Sequence, residues 1–288
     1  MNKGILYRLK EYAKLMRFDR PIGILLLLWP TLWGLWFAAA GHPPIKILII
    51  FVIGVVVTRA LGCVINDIND RRFDKHVQRT KTRPLAQHSI HLWEAYLIFI
   101  ILSIIALVLV GLLNRLTILL AIIAFALIAI YPLMKRFVYW PQLFLGLTFG
   151  AWPILMGYSA IENRLPWLCL LPAGAVFCWT VAYDTMYAMA DKEDDLTIGV
   201  KSTAIWFGKY ARLWIGLFQA AMITLLVIFG LITHIGFAYY IGLLIAVILF
   251  IYEHQLIKSE RPEQCFAMFL HSRWVGVIIF VAVVVAYL

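Results

Sequence analysis

Long apolar runs alternate with short polar segments along most of the chain. A helix that crosses a membrane needs about 20 predominantly apolar residues. Runs of this kind predict nine membrane-spanning helices, at about residues 22–40, 45–66, 92–112, 116–134, 140–160, 166–187, 211–231, 235–253 and 271–288. The third and fourth runs, and the seventh and eighth, are closely linked and allow a different division. The pattern therefore predicts an all-α polytopic membrane protein, with residues 1–288 in a single membrane-embedded domain.

The composition supports this fold class. Hydrophobic residues make up 64% of the chain and charged residues 14%, whereas a soluble domain is about 45–50% apolar and about 25% charged. A buried core alone does not account for this apolar surplus. The four cysteines form no CxxC pair, so neither a disulfide framework nor a zinc site is predicted.

Basic residues concentrate on one side of the predicted topology. If the N-terminus is cytoplasmic, most of the 25 lysines and arginines fall in cytoplasmic segments, and the opposite face keeps Lys46, Arg115 and Arg164. Arg59 lies inside the second span. The positive-inside rule then predicts that the N-terminus is cytoplasmic, and the lack of a transit peptide favours a multi-pass protein of the bacterial inner (cytoplasmic) membrane. The net charge of +10 is explained by topology and contact with the lipid bilayer, and nucleic-acid binding is not predicted.

Residues 1–20 carry charges throughout and contain no apolar core of a signal peptide. Ile5, Leu6, Leu9, Ala13 and Met16 fall near helical spacing, with lysines and arginines between them. This pattern predicts a short amphipathic helix that lies on the membrane surface.

Two connections, at about residues 67–91 and 188–210, are longer and more polar than the others. Each follows an acid-rich segment, and the topology puts both on the cytoplasmic side. They are predicted to form two cap loops. The chain then reads as two four-helix halves, each with one acid-rich segment after its second helix, and a ninth helix.

More than half of the fifteen acidic residues lie in the two acid-rich segments. The first segment directly follows the apolar run that ends at Ile65. If the helix continues past this residue, Asn66, Asp70 and Asp74 share one face, and Asp67 lies beside Asp70.

The second segment has similar spacing. Asp184 and Asp191 are seven residues apart, Asp191 and Asp195 are four apart, and Tyr187 and Asp194 lie close to the same face. Stacked like charges repel and need cations to offset the cost. Mg²⁺ prefers oxygen ligands, commonly one or two carboxylates plus substrate phosphates. We therefore predict that the two segments converge on Mg²⁺ and a diphosphate; solvated acidic loops are the alternative.

Polar and basic residues near the acid-rich segments are candidates for binding a diphosphate. They are Lys135, Arg79, Arg83, Lys201 and Tyr131. Each basic residue singly can instead be an anchor of the positive-inside kind. Arg59 has two interpretations, because an arginine inside a span either pairs with an acid or contacts substrate.

These residues resemble those of the UbiA superfamily of intramembrane aromatic prenyltransferases. Asn66-Asp67-x-x-Asp70-x-x-x-Asp74 is similar to the first Asp-rich motif of that family, and Asp184-x-x-Tyr187-Ala188-Met189-x-Asp191-x-x-Asp194-Asp195 is similar to the second. The resemblance runs from about residue 17 onward. Further matching strings are Arg17-x-Asp19-Arg20-Pro21-Ile22-Gly23, Arg79-Thr80-x-x-Arg83-Pro84-Leu85 and Tyr131-Pro132-x-Met134-Lys135-Arg136.

The resemblance implies nine helices in a bundle around a central cavity, under cytoplasmic caps and open laterally to lipid. It implies transfer of a polyprenyl group from polyprenyl diphosphate to the carbon ortho to the hydroxyl of 4-hydroxybenzoate, a step of ubiquinone biosynthesis. The implied Mg²⁺ ligands are Asn66, Asp70, Asp191 and Asp195, with Asp67, Asp74 and Asp194 in support.

The implied catalytic residues are Asp184, Tyr187 and Asp191, with Asp184 or Asp191 as the base that removes the ring proton. The aromatic carboxylate needs a cation, and the sequence does not rank the candidates Arg17, Arg20, Arg59, Arg72 and Arg136. Another acceptor, such as dihydroxynaphthoate, homogentisate or a haem precursor, is an alternative. A membrane transporter is a more distant one, because carriers place their polar sites near the midplane.

Overall fold

The computed structural model describes residues 4–71 and 80–288, apart from the side chains at 131–133, 135, 136 and 198. Over these residues α-helix dominates and no β-strand is present, which confirms the all-α prediction. The α-helices are α1 (Ile5–Leu15), α2 (Ile22–Ala38), α3 (Ile45–Asp70), α4 (Leu92–Gly111), α5 (Arg115–Phe137), α6 (Pro141–Leu145), α7 (Trp152–Glu162), α8 (Leu170–Ala190), α9 (Lys192–Ile198), α10 (Thr203–Phe207), α11 (Ala211–Thr233), α12 (Phe237–Leu256) and α13 (Pro262–Ala286).

Among the described residues, seven helical stretches are long and apolar enough to cross a membrane. They are Ile45–Asp70, Leu92–Gly111, Pro141–Glu162, Trp167–Ala190, Thr203–Thr233, Phe237–Ser259 and Pro262–Ala286. Helix α2 has 17 residues, a length of about 26 Å, and the apolar part of α5, Arg115–Ile130, is also shorter. Each of the nine predicted runs therefore forms a helix, and seven of them have the length of a full span.

Two boundaries differ from the sequence prediction. The last helix begins at Pro262 rather than near residue 271, because Pro262 suits the first helical position and Glu263 suits the first turn. The connection predicted as a loop at 188–210 contains α9 and α10. Helix α9 ends at Ile198 and is followed by Gly199, which has a φ of 72°. The Val200 N–H donates to the Asp195 carbonyl at 2.9 Å, as in a Schellman-type cap.

The chain divides into two compact units. The first comprises Met1–Leu25 and Ile49–Leu113, and the second comprises Leu26–Leu48 and Asn114–Leu288. In the first unit, α1, α3 and α4 pack around a common core. The residues of α3 in that core are Val57, Ala60, Leu61, Val64 and Ile68. Their spacing of three and four residues gives α3 one buried face.

Helix α1 buries Leu15 in the same core, whereas Ile5, Leu6 and Leu9 are exposed by 81%, 69% and 56%. The predicted N-terminal helix is therefore present, with apolar side chains on its outer side. Its contact with the bilayer surface stays a prediction.

In the second unit, α8 packs against α11, α13 and a π-helical turn. That turn, Gly146–Ala151, joins α6 to α7 and makes Pro141–Glu162 one continuous stretch. Trp33 of α2 stacks on Trp179 of α8, with ring centroids 5.5 Å apart. Of the candidate spans in the described residues, the stretch that contains α8 is the most buried. This helix carries the beginning of the second acid-rich segment.

Candidate active site

The first acid-rich segment occupies the last turn of α3, which continues without a break to Asp70. Asn66 and Asp70 are four residues apart, so they lie on one face of the helix, and both are half-buried. This confirms the predicted helical spacing as far as Asp70; Asp74 lies outside the described residues. The end of α3 thus carries a carboxamide and a carboxylate on one face.

Asp67 lies on the buried side of α3, and only 1% of it is exposed. Arg17 Nη2 donates to both of its carboxylate oxygens, at 2.9 and 3.2 Å. Arg83 Nη1 lies 3.1 Å from Asp67 Oδ1. The two arginine side chains are 24% and 19% exposed. Two largely buried cations therefore offset one buried carboxylate, which would be costly without a partner.

Glu94, buried in the first turn of α4, holds α1 in place. Arg8 Nη1 and the Tyr12 hydroxyl both donate to Glu94 Oε1 at 2.6 Å. The His91 N–H donates to Glu94 Oε2 at 2.6 Å. The hydrogen bond to Glu94 raises the pKa of Tyr12, so the phenol stays a donor. Arg17 lies two residues after the end of α1, so the contacts of Glu94 with α1 also restrain the position of the Arg17 backbone.

Glu11 ties α1 to the segment at residues 80–91. It is 3% exposed and accepts hydrogen bonds from Lys14 Nζ at 2.7 Å and from the Ser89 hydroxyl. The bond to Glu11 raises the pKa of Lys14. Because this segment carries Arg83, the contact helps to bring both arginines to Asp67. Sequence reasoning missed Glu11 and Glu94, although a lone acid in the apolar run at 92–112 was a usable signal for Glu94.

Arg59 lies seven residues before Asn66 on α3, so it shares the face of Asn66 and Asp70. It is half-buried, and in the described part of the chain it forms no ion pair. Its guanidinium packs against the first turn of α2, where a Cβ added to Gly23 would lie 2.3 Å from Arg59 Nε. A cation is thus placed inside the span, about three turns from the end of α3.

The second acid-rich segment lies at the junction of α8 and α9. Asp184 and Tyr187 are about one turn apart on α8, and both are half-buried. Helix α8 ends at Ala190, and Asp191 joins it to α9 with a φ of −97° and a ψ of 2°. The Asp195 N–H donates to the Asp191 carbonyl at 2.9 Å. Helical spacing between these two acids therefore persists across the junction.

Aromatic side chains surround Tyr187. Its ring lies 4.9 Å from the Phe269 ring and 6.1 Å from the Phe266 ring, both on α13. One turn earlier, the Tyr183 ring lies 5.4 Å from that of Trp179. These rings form an aromatic stripe that leads from the acidic end of α8 into the core of the unit. The faces of such rings attract positive charge.

Lys201 follows the turn after α9 and is half-buried. Its Nζ donates to the Phe137 carbonyl at 3.0 Å and lies 4.5 Å from the centre of the Tyr139 ring. These contacts place Lys201 at the end of α5, the helix that carries Tyr131 and Lys135. The side chains of those two residues lie outside the described part of the chain.

The remaining sequence candidates are less informative. Arg20 is exposed, with Asp19 Oδ2 at 3.9 Å, and Asp194 is exposed on α9. The candidates outside the described residues are Arg72, Asp74 and Arg79, together with the side chain of Arg136.

The chemistry of the half-buried donors suits a divalent metal. Asp70, Asp191 and Asp195 supply carboxylate oxygens and Asn66 supplies a carboxamide oxygen, the hard ligands that Mg²⁺ prefers. Among the described residues, no three His, Cys, Asp or Glu side chains form a group that could hold a metal ion. Mg²⁺ commonly keeps water and phosphate oxygens among its ligands, so the donors of each segment, taken separately, are of a kind that suits Mg²⁺ in company with a diphosphate.

A further buried acid, Glu253, lies outside both acid-rich segments. It is 0% exposed on α12, accepts from Gln219 Nε2 at 3.2 Å, and lies 3.1 Å from His271 Nδ1. Ser272 Oγ is 3.5 Å away. The group joins α11, α12 and α13 through polar contacts. Sequence reasoning missed it, although a single acid in an apolar run marks a constrained position.

Residues 27–283 match the model of the UbiA prenyltransferase family. This match places the chain, which has apolar helices and two acid-rich helix ends, in a class of membrane enzymes that transfer prenyl groups. This chain belongs to the UbiA prenyltransferase family. Family membership favours the prenyltransferase interpretation over the transporter alternative.

Named relatives are similar over nearly their whole length. The 4-hydroxybenzoate octaprenyltransferase of Coxiella burnetii is 48% identical over 280 residues, which cover 97% of each chain. The protein of the same name from Yersinia enterocolitica is 48% identical over 279 residues, which cover 97% of this chain and 96% of its own.

Solved structures share the fold. The apo structure of a UbiA homolog from Aeropyrum pernix K1 has a TM-score of 0.79 at 24% identity, and the match covers 92% of this chain and 98% of the other. A UbiA homolog from Archaeoglobus fulgidus bound to GPP and Mg²⁺ has a TM-score of 0.73 at 19% identity, covering 96% and 99%. The same homolog is also solved bound to Cd²⁺.

Proposed function

We propose that this protein transfers a polyprenyl group from polyprenyl diphosphate to the ring carbon ortho to the hydroxyl of 4-hydroxybenzoate, a step of ubiquinone biosynthesis. The observation that carries this conclusion is the 48% identity, over 97% of the chain, to a 4-hydroxybenzoate octaprenyltransferase. An octaprenyl donor is therefore the first to test. Two acid-rich helix ends and a cation inside a span supply the groups that such a reaction needs.

We assign the binding of Mg²⁺ and of the diphosphate of the prenyl donor to the acid-rich segments. Mg²⁺ would be held through Asn66, Asp70, Asp191 and Asp195, with Asp67, Asp74 and Asp194 in support. Bound Mg²⁺ supplies positive charge that stabilises the leaving diphosphate. The structural neighbour with GPP and Mg²⁺ and the oxygen donors described above support this assignment.

Four basic side chains and one phenol complete the diphosphate site in this proposal. The residues assigned to it are Tyr131, Lys135, Arg79, Arg83 and Lys201. Arg83 is held at the end of α3 by Asp67, 3.1 Å away, so its charge lies near the helix end that carries Asp70. Such prearranged charges stabilise negative charge as it develops in the transition state.

The carbon–oxygen bond of the donor breaks as its electron pair leaves with the diphosphate. The ring carbon of 4-hydroxybenzoate then forms a bond to the prenyl carbon, and Asp184 or Asp191 removes the ring proton. Tyr187, backed by Phe269 at 4.9 Å, offers a ring face to the positive charge that develops on the prenyl carbon. A site enclosed by helices keeps water from that charge.

Arg59 is the arginine that we assign to the aromatic carboxylate. It is half-buried inside the span and shares the face of Asn66 and Asp70. By contrast, Arg17 is engaged with Asp67 at 2.9 Å, and Arg20 is exposed. Arg72 and Arg136 stay candidates. A guanidinium matches a carboxylate through paired hydrogen bonds.

The topology completes the proposal. All nine apolar helices cross the bacterial inner membrane around a central cavity, with the N-terminus and the cap segments on the cytoplasmic side. Labelling of single cysteines introduced at residues 81 and 164, in a variant whose four native cysteines are replaced, tests this arrangement. Impermeant reagent added outside intact cells should reach residue 164 and spare residue 81.

The activity test uses the full chain in detergent or nanodiscs, octaprenyl diphosphate and 4-hydroxybenzoate. The expected product is 4-hydroxybenzoate prenylated ortho to the hydroxyl, formed only with a divalent metal. A panel of dihydroxynaphthoate and homogentisate with the same donor provides the control. Faster turnover of either alternative acceptor would contradict the proposed acceptor.

A further inference from the structure

Gly23 in the first turn of α2 faces the guanidinium of Arg59 on α3. A Cβ built on Gly23 would lie 2.3 Å from Arg59 Nε, 2.5 Å from Nη2 and 2.6 Å from Cζ. Ordinary van der Waals contact begins at 3.4 Å. No side chain therefore fits at residue 23 while the guanidinium keeps its position, so Arg59 rests on the bare backbone of Gly23.

The contact with Gly23 bears on how the guanidinium of Arg59 binds a carboxylate. An arginine has several rotatable bonds, and fixing them costs conformational entropy. A flat backbone surface beside the guanidinium limits the orientations that the side chain adopts. Because paired hydrogen bonds to a carboxylate depend on the orientation of the guanidinium plane, a displacement of the guanidinium weakens binding even though its charge is kept.

We infer that Gly23 is a positioning residue for the acceptor: its missing side chain lets Arg59 lie where the guanidinium binds the carboxylate of 4-hydroxybenzoate. The inference rests on the proposed function, because that carboxylate is the assigned partner of Arg59. Gly23 itself touches neither substrate. Its effect reaches the reaction only through the placement of Arg59.

Gly23→Ala tests this role. The atoms in conflict are the end of a flexible side chain, so we expect the alanine to displace the guanidinium by about 1 Å and to leave the fold intact. A misplacement of this size costs up to about 10²-fold in rate. The KM for 4-hydroxybenzoate should rise at least about tenfold, while the KM for octaprenyl diphosphate and the thermal unfolding midpoint stay as in the parent chain.

Gly54→Ala is the matched control. Gly54 lies on the same helix as Arg59, and a Cβ added there meets no atom within 4 Å. Both KM values should therefore stay at those of the parent chain. An unchanged KM for 4-hydroxybenzoate in Gly23→Ala would overturn the inference.

A double-mutant cycle separates this inference from the proposed function. In an Arg59→Gln background the guanidinium is absent, so Gly23→Ala should add no further effect. If Arg59→Gln alone leaves the KM for 4-hydroxybenzoate unchanged, the carboxylate assignment is wrong and the inference fails with it. If Arg59→Gln raises that KM and Gly23→Ala does not, only the role of Gly23 is wrong. If Gly23→Ala has the same effect on this KM in both backgrounds, Gly23 does not act through Arg59 and the inference is also overturned.

Discussion

The two acid-rich segments contain the same kinds of residue and use them differently. In the first, α3 is unbroken to Asp70, and Asp67 is buried against Arg17 and Arg83 at 2.9 and 3.1 Å. In the second, the helix stops at Ala190 and a new one begins at Lys192, and the junction acid Asp191 is half-buried.

The difference shows that spacing alone does not assign a role to an acid. Asp67 and Asp70 are one helical turn apart, yet one is a buried counter-ion for two arginines and the other is half-buried at the helix end. The first segment therefore combines a charge that organises the protein with groups suited to a ligand. Substitutions within it should separate stability from activity.

The largest expected effect is on catalysis. Asp70→Asn and Asp191→Asn each remove a carboxylate assigned to the metal, and each should lower kcat/KM for prenylation by about 10²–10³-fold. The thermal unfolding midpoint should stay close to that of the parent chain, because both residues are only half-buried. Steady-state kinetics in detergent check this. Near-normal activity in either variant would contradict the ligand assignment.

Asp67→Asn should affect stability first. The substitution removes the carboxylate charge that Arg17 and Arg83 both contact, a loss of about 3 kcal/mol. Thermal unfolding in detergent measures it. The control is Glu162→Gln, which breaks a pair with Arg164 at 3.0 Å whose arginine is 75% exposed and should cost less than about 1 kcal/mol. Equal effects of the two variants would show that Asp67 is not a structural counter-ion.

Glu94→Gln should loosen α1, with a smaller cost of about 1–2 kcal/mol, because the ion pair with Arg8 is lost and the Tyr12 hydroxyl no longer donates to a charged acceptor. Hydrogen exchange of residues 5–15 should become faster, whereas exchange in α12 should not change. Tyr12→Phe removes one of the two bonds to Glu94 Oε1 and should have a weaker effect of the same kind. Unchanged exchange in Glu94→Gln would mean that α1 is held by its apolar contacts alone.

The smallest expected effect concerns the turn after α9. Gly199 has a φ of 72°, where a side chain costs about 1 kcal/mol, so Gly199→Ala should be destabilising by that amount. Gly111→Ala, at the end of α4 and with nothing within 4 Å of the added Cβ, should be neutral or slightly stabilising. Thermal unfolding of the two variants compares them, and equal midpoints would exclude strain at Gly199.

The sequence predicted the apolar helices because each apolar run is itself long enough to form a helix, although two of them are shorter than a full span. It also predicted that α3 continues to Asp70, since the spacing of Asn66 and Asp70 has meaning only on a helix. It failed at residues 188–210, because α9 is short and polar and α10 has only five residues, so neither forms an apolar run long enough to be recognised.

The contacts of the charged residues were beyond the sequence. Arg17 and Asp67 are 50 residues apart, and no periodicity relates them. Gly23 carries no signal of its own, because its role depends on the Arg59 side chain of another helix. The buried acids Glu94 and Glu253 are recognisable in the sequence, because each is an isolated charge in an apolar run.

The central claim is that acids from both segments hold the metal used in prenyl transfer. The most direct measurement is the Mg²⁺ dependence of 4-hydroxybenzoate prenylation in the parent chain, Asp70→Asn and Asp191→Asn. We expect no product after chelation and, in each variant, a half-maximal Mg²⁺ concentration at least about tenfold higher. Turnover that persists after chelation, or a variant from either segment with the Mg²⁺ requirement of the parent, would contradict the claim.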